Sequence, residues 1–495
     1  MSALKHPTSS LGPLMATWAL LLGVDLVACW NWLSVVGDTS WVLLLIALHA
    51  ISCLAITVGF ITGMRPMLLF VSIFAYAWIT VPATYQLALR DFAWSDLGLI
   101  GLTGSITEAL ILLTLSAFLF LLGYIFSPSR VHKIDGTPQS GYESGSSSRL
   151  LLLATVLCGL GAVLIPVVAS AVGGIDVLFS SRAQFSSAVS SYSSSSSDKS
   201  LQGVLTLFPG AVATSASVLA VSSMHRARRQ GLRIGPSHVF VLLVALALLW
   251  TFSNPFANTR FIFAASVGAF LLAMIRPRSA YAGALTALLS IIGLFFIYPL
   301  LNFFRSGQYS AEASGFRLAS GDFDGFQQAV NTMYYVDANG FSYGWHIISA
   351  VFFFVPRSLW ESKANPASFE IAAFRGYIHQ NLSLPTPSEL FMDFGWLGAS
   401  VLFVSAGYLW RRLDDNWMVG RDSVVVVVSV LAAAQIGLFR GPLGSQAPVV
   451  AASVMIAALG VRALQDGRGK TAHGGLEVRD LRPSSQVHTP PKRRL

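Results

Sequence analysis

Charged and titratable side chains are concentrated in one stretch of a chain in which only 11% of the residues are charged. The stretch lies between Val355 and Gly398 and contains VPRSLWESKANP and FRGYIHQNLSLPTPSELFMDFGWLG. Its candidate residues are Arg357, Lys363, Arg375, His379 and Glu389. Arginine and lysine bind phosphate oxygens, and histidine and glutamate accept protons in general base catalysis. We therefore expect any chemistry of this protein to lie in this stretch.

Arginines also lie at the ends of neighbouring apolar runs. These are Arg260 after the turn NPFANT, Arg305, Arg317 and Arg440. A guanidinium holds phosphate oxygens at two points and keeps its charge at any relevant pH. Together these cations predict a site for a membrane-borne diphosphate. Taken singly, each is equally well explained by a side chain that snorkels to the interface or pairs with Glu361 or Glu370.

Two residues are candidates for a general base. Glu389 follows Pro387 where a polar loop enters an apolar run, and a carboxylate at that depth is partly desolvated. It could instead complement a helix dipole. His379 is the alternative, because imidazole titrates near neutral pH, although it could equally form surface hydrogen bonds. Within the apolar runs, we expect Asp25, His49 and Glu108 to face other helices as packing or substrate-path residues.

Several common chemistries lack their sequence signatures. The chain contains no P-loop, HExxH, paired CxxC or GxSxG motif in a suitable context, which argues against ATP hydrolysis and zinc chemistry, so we predict no metal and no cofactor. Cys29, Cys53 and Cys158 fall inside apolar runs as small packing residues. The net charge of +9 comes largely from short basic connections, so it does not indicate nucleic-acid binding.

The elements that position these residues are predicted to be membrane helices. Apolar residues make up 54% of the chain and charged residues 11%, and the mean hydropathy is +0.64. So few charged residues cannot cover the surface of a soluble globule of this length. We predict an all-α polytopic membrane protein with about twelve transmembrane helices. The predicted spans lie near 14–33, 41–63, 67–88, 104–126, 150–172, 203–224, 238–253, 260–275, 279–301, 388–410, 422–438 and 446–464.

The basic connections predict the orientation, because lysine and arginine are retained in the cytoplasm. With twelve spans, all basic connections fall on one side, and both termini are cytoplasmic. The large loop at 302–387, between the ninth and tenth spans, is then extracytoplasmic. The basic residues concerned are Arg65; Arg130, Lys133 and Arg149; Arg226, Arg228, Arg229 and Arg233; Arg276 and Arg278; and Arg411, Arg412 and Arg421.

Residues 1–464 are predicted to form a single transmembrane domain, followed by a disordered basic tail at 465–495. The cytoplasmic loop 127–149 is rich in Ser and Gly, and the external loop 173–201 carries a serine run that suggests either a mobile flap or a plain linker.

The loop at 302–387 looks partly folded. Asp322 is predicted to cap a helix with apolar residues at helical spacing, and Gly340 to end it. Prolines 366, 385 and 387 interrupt helix formation ahead of the tenth span. The apolar run from Ile347 to Pro356 is too short to span a bilayer and suits a re-entrant or interfacial segment.

Four runs of this chain together resemble a known family. They are NPFANTRF, FFFVPRSLWESKANP, NLSLPTPSELFMDFGWLG and FRGPLG, in this order within residues 250 to 445. The region resembles the Wzy-type family of O-antigen and exopolysaccharide repeat-unit polymerases. The N-terminal third is similar to that family only in hydropathy.

The resemblance implies a fold like that of the integral-membrane glycosyltransferases with lipid donors, in a bacterial inner membrane. It implies a donor glycan and an acceptor repeat unit, each carried on undecaprenyl diphosphate, and polymerisation at the outer leaflet. A flippase and a chain-length regulator are the implied protein partners. On this hypothesis Arg357 and Arg440, then Arg260 and Lys363, stabilise the leaving diphosphate, and Glu389 or His379 is the base. Arg305 and Arg375 complete the predicted cationic site.

Two alternatives remain open on the sequence. An O-antigen ligase would use the same donor and a different acceptor. A polysaccharide flippase or another secondary transporter would also fit twelve spans with internal termini, although the halves of the chain show no repeat.

Overall fold

The structure is a computed structural model, and it describes residues 11–94, 102–128, 147–195, 200–258, 260–297, 318–377 and 382–465. Within these ranges the regular secondary structure is helical throughout. The predicted cytoplasmic loop 127–149 lies mostly outside the described residues, and the tail beyond 465 lies outside them entirely.

Seventeen α-helices account for most of the described chain. They are α1 Leu11–Asn31, α2 Thr39–Ile61, α3 Pro66–Ala75, α4 Val81–Leu89, α5 Thr103–Phe126, α6 Ser147–Val172, α7 Arg182–Ser195, α8 Ser200–Arg229, α9 Pro236–Ser253, α10 Arg260–Ile275, α11 Ala280–Ile292, α12 Gly325–Asn339, α13 Trp345–Val351, α14 Ala367–Phe374, α15 Thr386–Val419, α16 Asp422–Arg440 and α17 Leu443–Gln465.

Ten helical stretches among the described residues are long and apolar enough to cross a membrane. They are α1, α2, the stretch α3 to α4 with its π-helical turn, α5, α6, α8, α9, α15, α16 and α17. The predicted eighth and ninth spans correspond to two shorter apolar helices, Phe261–Ile275 and Ala280–Phe295. The prediction of an all-α multi-pass membrane protein is therefore confirmed, while the count of twelve spans stays a prediction.

The helices differ in how much of their surface they bury. Of the 18 most apolar consecutive residues in each helix, 89% are buried inside the protein in Pro66–Leu89 and 28% in Ser147–Val172. An apolar helix that leaves most of its surface uncovered by protein needs lipid around it. Pro66–Leu89 is thus a central helix, and the helix of Ser147–Val172 faces lipid on most sides.

The basic connections meet at one end of the bundle, which we call the basic end. Arg65 pairs with Asp415 at 3.0 Å, and Arg411 pairs with the same carboxylate at 3.0 Å. The indole of Trp417 donates to Pro277 O at 3.0 Å, which joins this group to the connection between α10 and α11. The connections that carry Arg65, Arg276 and Arg278, and Arg411 are therefore grouped as predicted, while Arg130 and Lys133 lie outside the described residues and the side of the membrane stays a prediction.

The opposite end carries α12, α13 and α14, and we call it the loop end. Helix α12 begins after Asp324, so the prediction that Asp322 caps it is wrong: the chain turns into the helix two residues later. Gly340 ends α12 with φ +78°, as predicted. Helix α14 follows Pro366, and α15 follows Pro385. The run after Ile347 lies partly in α13, which is far too short to span.

The predicted flap at 173–201 contains a short 3-10 helix, Asp176–Phe179, and α7. Its serine-rich sequence therefore forms helix over Arg182–Ser195, and its mobility stays a prediction.

Helix α15 connects the two ends and has two distinct parts. Gly395 interrupts it with φ +63° and ψ −163°, a conformation that is essentially restricted to glycine. Beyond this kink, α15 packs closely on α5. A Cβ added to Gly407 would lie 2.0 Å from Phe120 O, and one added to Gly123 would lie 2.1 Å from Val404 O. Small residues allow such close approach of membrane helices.

Candidate functional site

Glu389 lies in the first turn of α15 and is fully buried. The backbone N–H of Leu443, at the start of α17, donates to its Oε2 at 2.6 Å. Its Oε1 is also buried and meets no hydrogen-bond donor among the described residues. A buried carboxylate oxygen without a donor is costly, so this atom is a strong candidate for contact with a ligand hydroxyl.

Asp393 lies one turn further along α15 and is almost completely buried. Its carboxylate accepts hydrogen bonds from Ser342 Oγ at 2.6 Å and from the backbone N–H of Ile347 at 3.0 Å. The imidazole Nδ1 of His346 lies 2.7 Å from its Oδ1. One carboxylate of α15 therefore fixes the first turn of α13 and the histidine on it.

The second nitrogen of His346 faces another acid. Its Nε2 lies 3.3 Å from Glu370 Oε2 of α14, an ion pair without the alignment of a good hydrogen bond, and Tyr335 of α12 donates to the same oxygen at 3.1 Å. We call His346, Asp393, Glu370 and Tyr335 the imidazole cluster. It joins four helices at the loop end.

Burial disfavours the charged form of His346, but the carboxylates of Asp393 and Glu370 outweigh it and raise the pKa of His346 to about 10. Burial, with the charge of Glu370, raises the pKa of Tyr335 to about 12. His346 is therefore a fixed cation at neutral pH. A protonated imidazole cannot accept a proton, which argues against His346 as a base.

A third buried acid, Asp324, lies just before α12. Ser383 donates to its Oδ1, and the indole of Trp94 donates to its Oδ2 at 3.1 Å. Burial raises the pKa of Asp324 to about 7, and the positive charge of Arg440 partly opposes this rise. This carboxyl group thus titrates near neutral pH.

Arg440 ends α16 near Asp324 and near the start of α15. Its Nη2 lies 3.5 Å from Gly321 O, and its guanidinium lies 5.3 Å from the ring centre of Phe261. Its backbone carbonyl accepts from Leu384 N at 2.9 Å, and the hydroxyl of Thr386 donates to Leu438 O at 2.6 Å. These bonds hold the end of α16 against the start of α15, where Glu389 lies.

The predicted cations Arg357 and Lys363 form a separate group. The guanidinium of Arg357 donates to Lys363 O at 2.7 Å, Ala364 O at 3.0 Å and Asn365 Oδ1 at 2.9 Å, and its side chain is exposed. The ammonium of Lys363 donates to Phe353 O at 2.8 Å and Val355 O at 3.0 Å. Both side chains therefore stabilise the conformation of the loop that carries them.

The remaining predicted residues are placed differently. The guanidinium of Arg375 lies 5.4 Å from the ring centre of Tyr334. Arg260 begins α10. Arg305 and His379 lie outside the described residues. The structure therefore brings the end of α16, with Arg440, to the start of α15, with Glu389, and holds Arg357 and Lys363 together in their own loop.

Sequence reasoning missed His346 and Asp324. A signal for Asp324 was present, because Gln327, Gln328 and Asn331 follow it at helical spacing and are all buried. Buried amides on one face of a helix indicate a polar contact surface. His346 gave no such local signal, since its partners Asp393 and Glu370 are distant in sequence.

Comparison of the chain with protein-family models, with curated proteins and with solved structures found no match.

Proposed function

We propose that this protein is an integral-membrane glycosyltransferase that polymerises undecaprenyl-diphosphate-linked oligosaccharide repeat units into a surface polysaccharide. The observation that carries the proposal is the buried Glu389 carboxylate, which has one oxygen without a donor among the described residues and lies at the start of α15, where a backbone hydrogen bond from Leu384 to Arg440 brings the end of α16. Transfer from a diphosphate to a hydroxyl requires a base and an anion-binding group in one site.

In the proposed step, Glu389 takes the proton of the acceptor hydroxyl while the hydroxyl oxygen forms a bond to the anomeric carbon of the donor sugar. The bond from that carbon to the phosphate oxygen breaks, and its electron pair leaves on the diphosphate. Leu443 N–H holds Oε2 of Glu389, so Oε1 is the atom that receives the proton. Its burial favours proton acceptance, because the neutral acid needs less solvation than the carboxylate.

Arg440 is the first candidate to stabilise the leaving diphosphate, since charge that develops there is met by a cation already in place. Arg357 is exposed and offers a further binding point, although its side chain also folds its loop. Lys363, Arg260, Arg305 and Arg375 remain proposed members of the cationic site. His379 remains the alternative base.

The imidazole cluster has a positioning role in this proposal. His346 carries a positive charge at neutral pH. It also links α13 and α14 to the segment of α15 that bears Glu389. Loss of this cation would weaken the contacts that hold Glu389 in position.

We place the reaction at the outer leaflet of a bacterial inner membrane, with both termini cytoplasmic and with a flippase and a chain-length regulator as partners. An O-antigen ligase would share Glu389 and Arg440 and differ in its acceptor. Supplying either a second lipid-linked repeat unit or a lipid A core acceptor distinguishes the two.

A transporter is the second candidate, and one observation favours it. His49 Nδ1 lies 2.7 Å from Asp25 Oδ1 inside predicted membrane helices, and Tyr76 donates to the same oxygen at 2.7 Å. Ionisable pairs within the membrane are typical of proton pathways. Here, however, Cys53 Sγ donates to Asp25 Oδ2 at 2.9 Å, and Thr84 Oγ1 lies 2.9 Å from His49 Nε2. Such complete pairing is typical of packing.

The deciding experiment reconstitutes the full chain in vesicles with synthetic undecaprenyl-diphosphate repeat units and separates the products by size. A ladder of longer glycans supports the polymerase. Movement of unchanged substrate across the bilayer without a ladder would support the transporter and overturn the proposal.

A further inference from the structure

A second cluster of charged side chains lies at the basic end, remote from Glu389. Asp422 begins α16, and its side chain is completely buried. Three arginines surround it: Arg276 Nη1 lies 2.6 Å from Oδ1, Arg226 Nη1 3.2 Å from Oδ2 and Arg229 Nη1 3.4 Å from Oδ1. Three cations thus share one carboxylate.

Arg278 adds a fourth positive charge. Its guanidinium lies against Gly420, where an added Cβ would fall 2.2 Å from Cζ. Burial, and then the charge of Arg229, lower the pKa of Arg278 below its ordinary value, only partly opposed by Asp422. We call these four arginines and Asp422 the Asp422 cluster. Four guanidinium groups against one carboxylate leave a large excess of positive charge.

The excess includes hydrogen-bond donors that meet no acceptor among the described residues. Nη2 of Arg276 and Nε of Arg278 are both buried and have no such partner. The side chain of Arg276 is only 7% exposed, so water does not easily replace the missing acceptor. Burial and neighbouring arginines also lower the pKa of Arg276 despite its contact with Asp422.

The retention of basic residues in the cytoplasm explains exposed cations, but it does not explain this convergence. Arginines that only follow that rule would spread into solvent to reduce their mutual repulsion. Here Arg226 and Arg276 are more than nine-tenths buried. Arg229 is half exposed and marks the solvent side of the cluster.

We propose that the Asp422 cluster is a binding site for a phosphate group, taken from an anionic phospholipid headgroup or from free phosphate. A phosphate offers several acceptor oxygens and negative charge, and guanidinium forks bind it at two points. The cluster lies at the ends of α8, α10 and α16, where apolar helices end and headgroups would begin. The site is independent of the proposed glycosyl transfer.

The test uses the purified full chain in neutral detergent and measures its melting midpoint and native mass spectrum. Three probes are added separately: phosphatidylglycerol, phosphatidylcholine and inorganic phosphate. We expect phosphatidylglycerol to bind and raise the midpoint, with phosphatidylcholine inactive. Binding of inorganic phosphate alone would support the same site with a soluble source. Binding of none of the anionic probes would overturn the proposal.

Arg278→Gln is the test variant, because Arg278 is the arginine of the cluster whose removal leaves the three contacts of Asp422 intact. Arg421→Gln is the matched control, since Arg421 is exposed at the same end and its loss removes the same charge. Arg278→Gln should weaken phosphatidylglycerol binding roughly tenfold or more, as the loss of a charge-assisted hydrogen bond predicts, and Arg421→Gln should change it little.

Equal weakening by both variants would overturn the site in favour of general attraction between basic residues and anionic lipid. If Arg278→Gln does not fold, Arg229→Gln replaces it, because this half-exposed side chain tolerates truncation better. Its expected result is the same selective loss of phosphatidylglycerol binding. Retained affinity would overturn the proposal.

Discussion

Nδ1 of His346 lies 2.7 Å from Oδ1 of Asp393, and the same carboxylate accepts the backbone N–H of Ile347. A single acid of α15 therefore both orients the imidazole and caps the helix that carries it. Because the carboxylates keep His346 protonated, the pair supplies positive charge and rigidity, and the base of the proposed reaction lies elsewhere.

Glu389→Gln should abolish the proposed glycosyl transfer while preserving the fold. The amide oxygen of glutamine can still accept the Leu443 N–H, but it cannot take a proton from the acceptor hydroxyl. We expect the rate of glycan extension to fall roughly a hundredfold or more, with little change in the melting midpoint. The exposed Glu361→Gln is the control, and full activity of Glu389→Gln would remove Glu389 from the mechanism.

His346 predicts a loss of stability at alkaline pH. Its folded pKa of about 10 lies above the ordinary value of 6.5, so its stabilisation is complete below pH 6.5 and is lost as the pH rises through 10. The melting midpoint of the wild type should therefore fall across this window. His346→Gln, which does not titrate, should have a lower midpoint at pH 7 and a smaller fall. Parallel curves for the two proteins would contradict the assignment.

Asp324 predicts a second pH dependence in a different window. Its folded pKa of about 7 lies above the ordinary value of 3.8. Its contribution to the free energy of unfolding is therefore complete below pH 3.8 and is lost as the pH rises through 7. Asp324→Asn should flatten the fall of the melting midpoint between pH 4 and 7. Asp337→Asn, an exposed change at the other end of the same helix, should leave the fall unchanged.

Gly407→Ala should destabilise the bundle by about 1–3 kcal/mol, because the new methyl group would overlap Phe120 O of α5. Gly159→Ala on α6 is the matched control, since a Cβ there meets nothing within 4 Å. Denaturation midpoints in the same detergent measure the difference. Equal midpoints for the two variants would show that α5 and α15 are not in close contact.

The helices were predictable because hydropathy and proline placement are local properties. Pro366 and Pro385 stand directly before helices, and Gly340 ends one. The choice between Asp322 and Asp324 as the start of α12 was not local, since burial against Trp94 and Ser383 decides it.

The candidate site was only partly predictable for the same reason. Glu389 was recognisable as an acid at the entry to an apolar run. His346 gains its significance from Asp393, 47 residues later, and from Glu370 on a third helix. Arg357 was recognised as a cation, but its hydrogen bonds to Lys363 O and Ala364 O depend on the path of its loop.

Gly395 divides α15 into a short segment that bears Glu389 and Asp393 and a long one moored to α5 through Gly407. The short segment is held by the Leu443 N–H on Glu389 and by Ser342 and His346 on Asp393, and the long segment is held by α5. One continuous helix thereby carries both a tight helix–helix contact within the bundle and the two buried acids at its loop end.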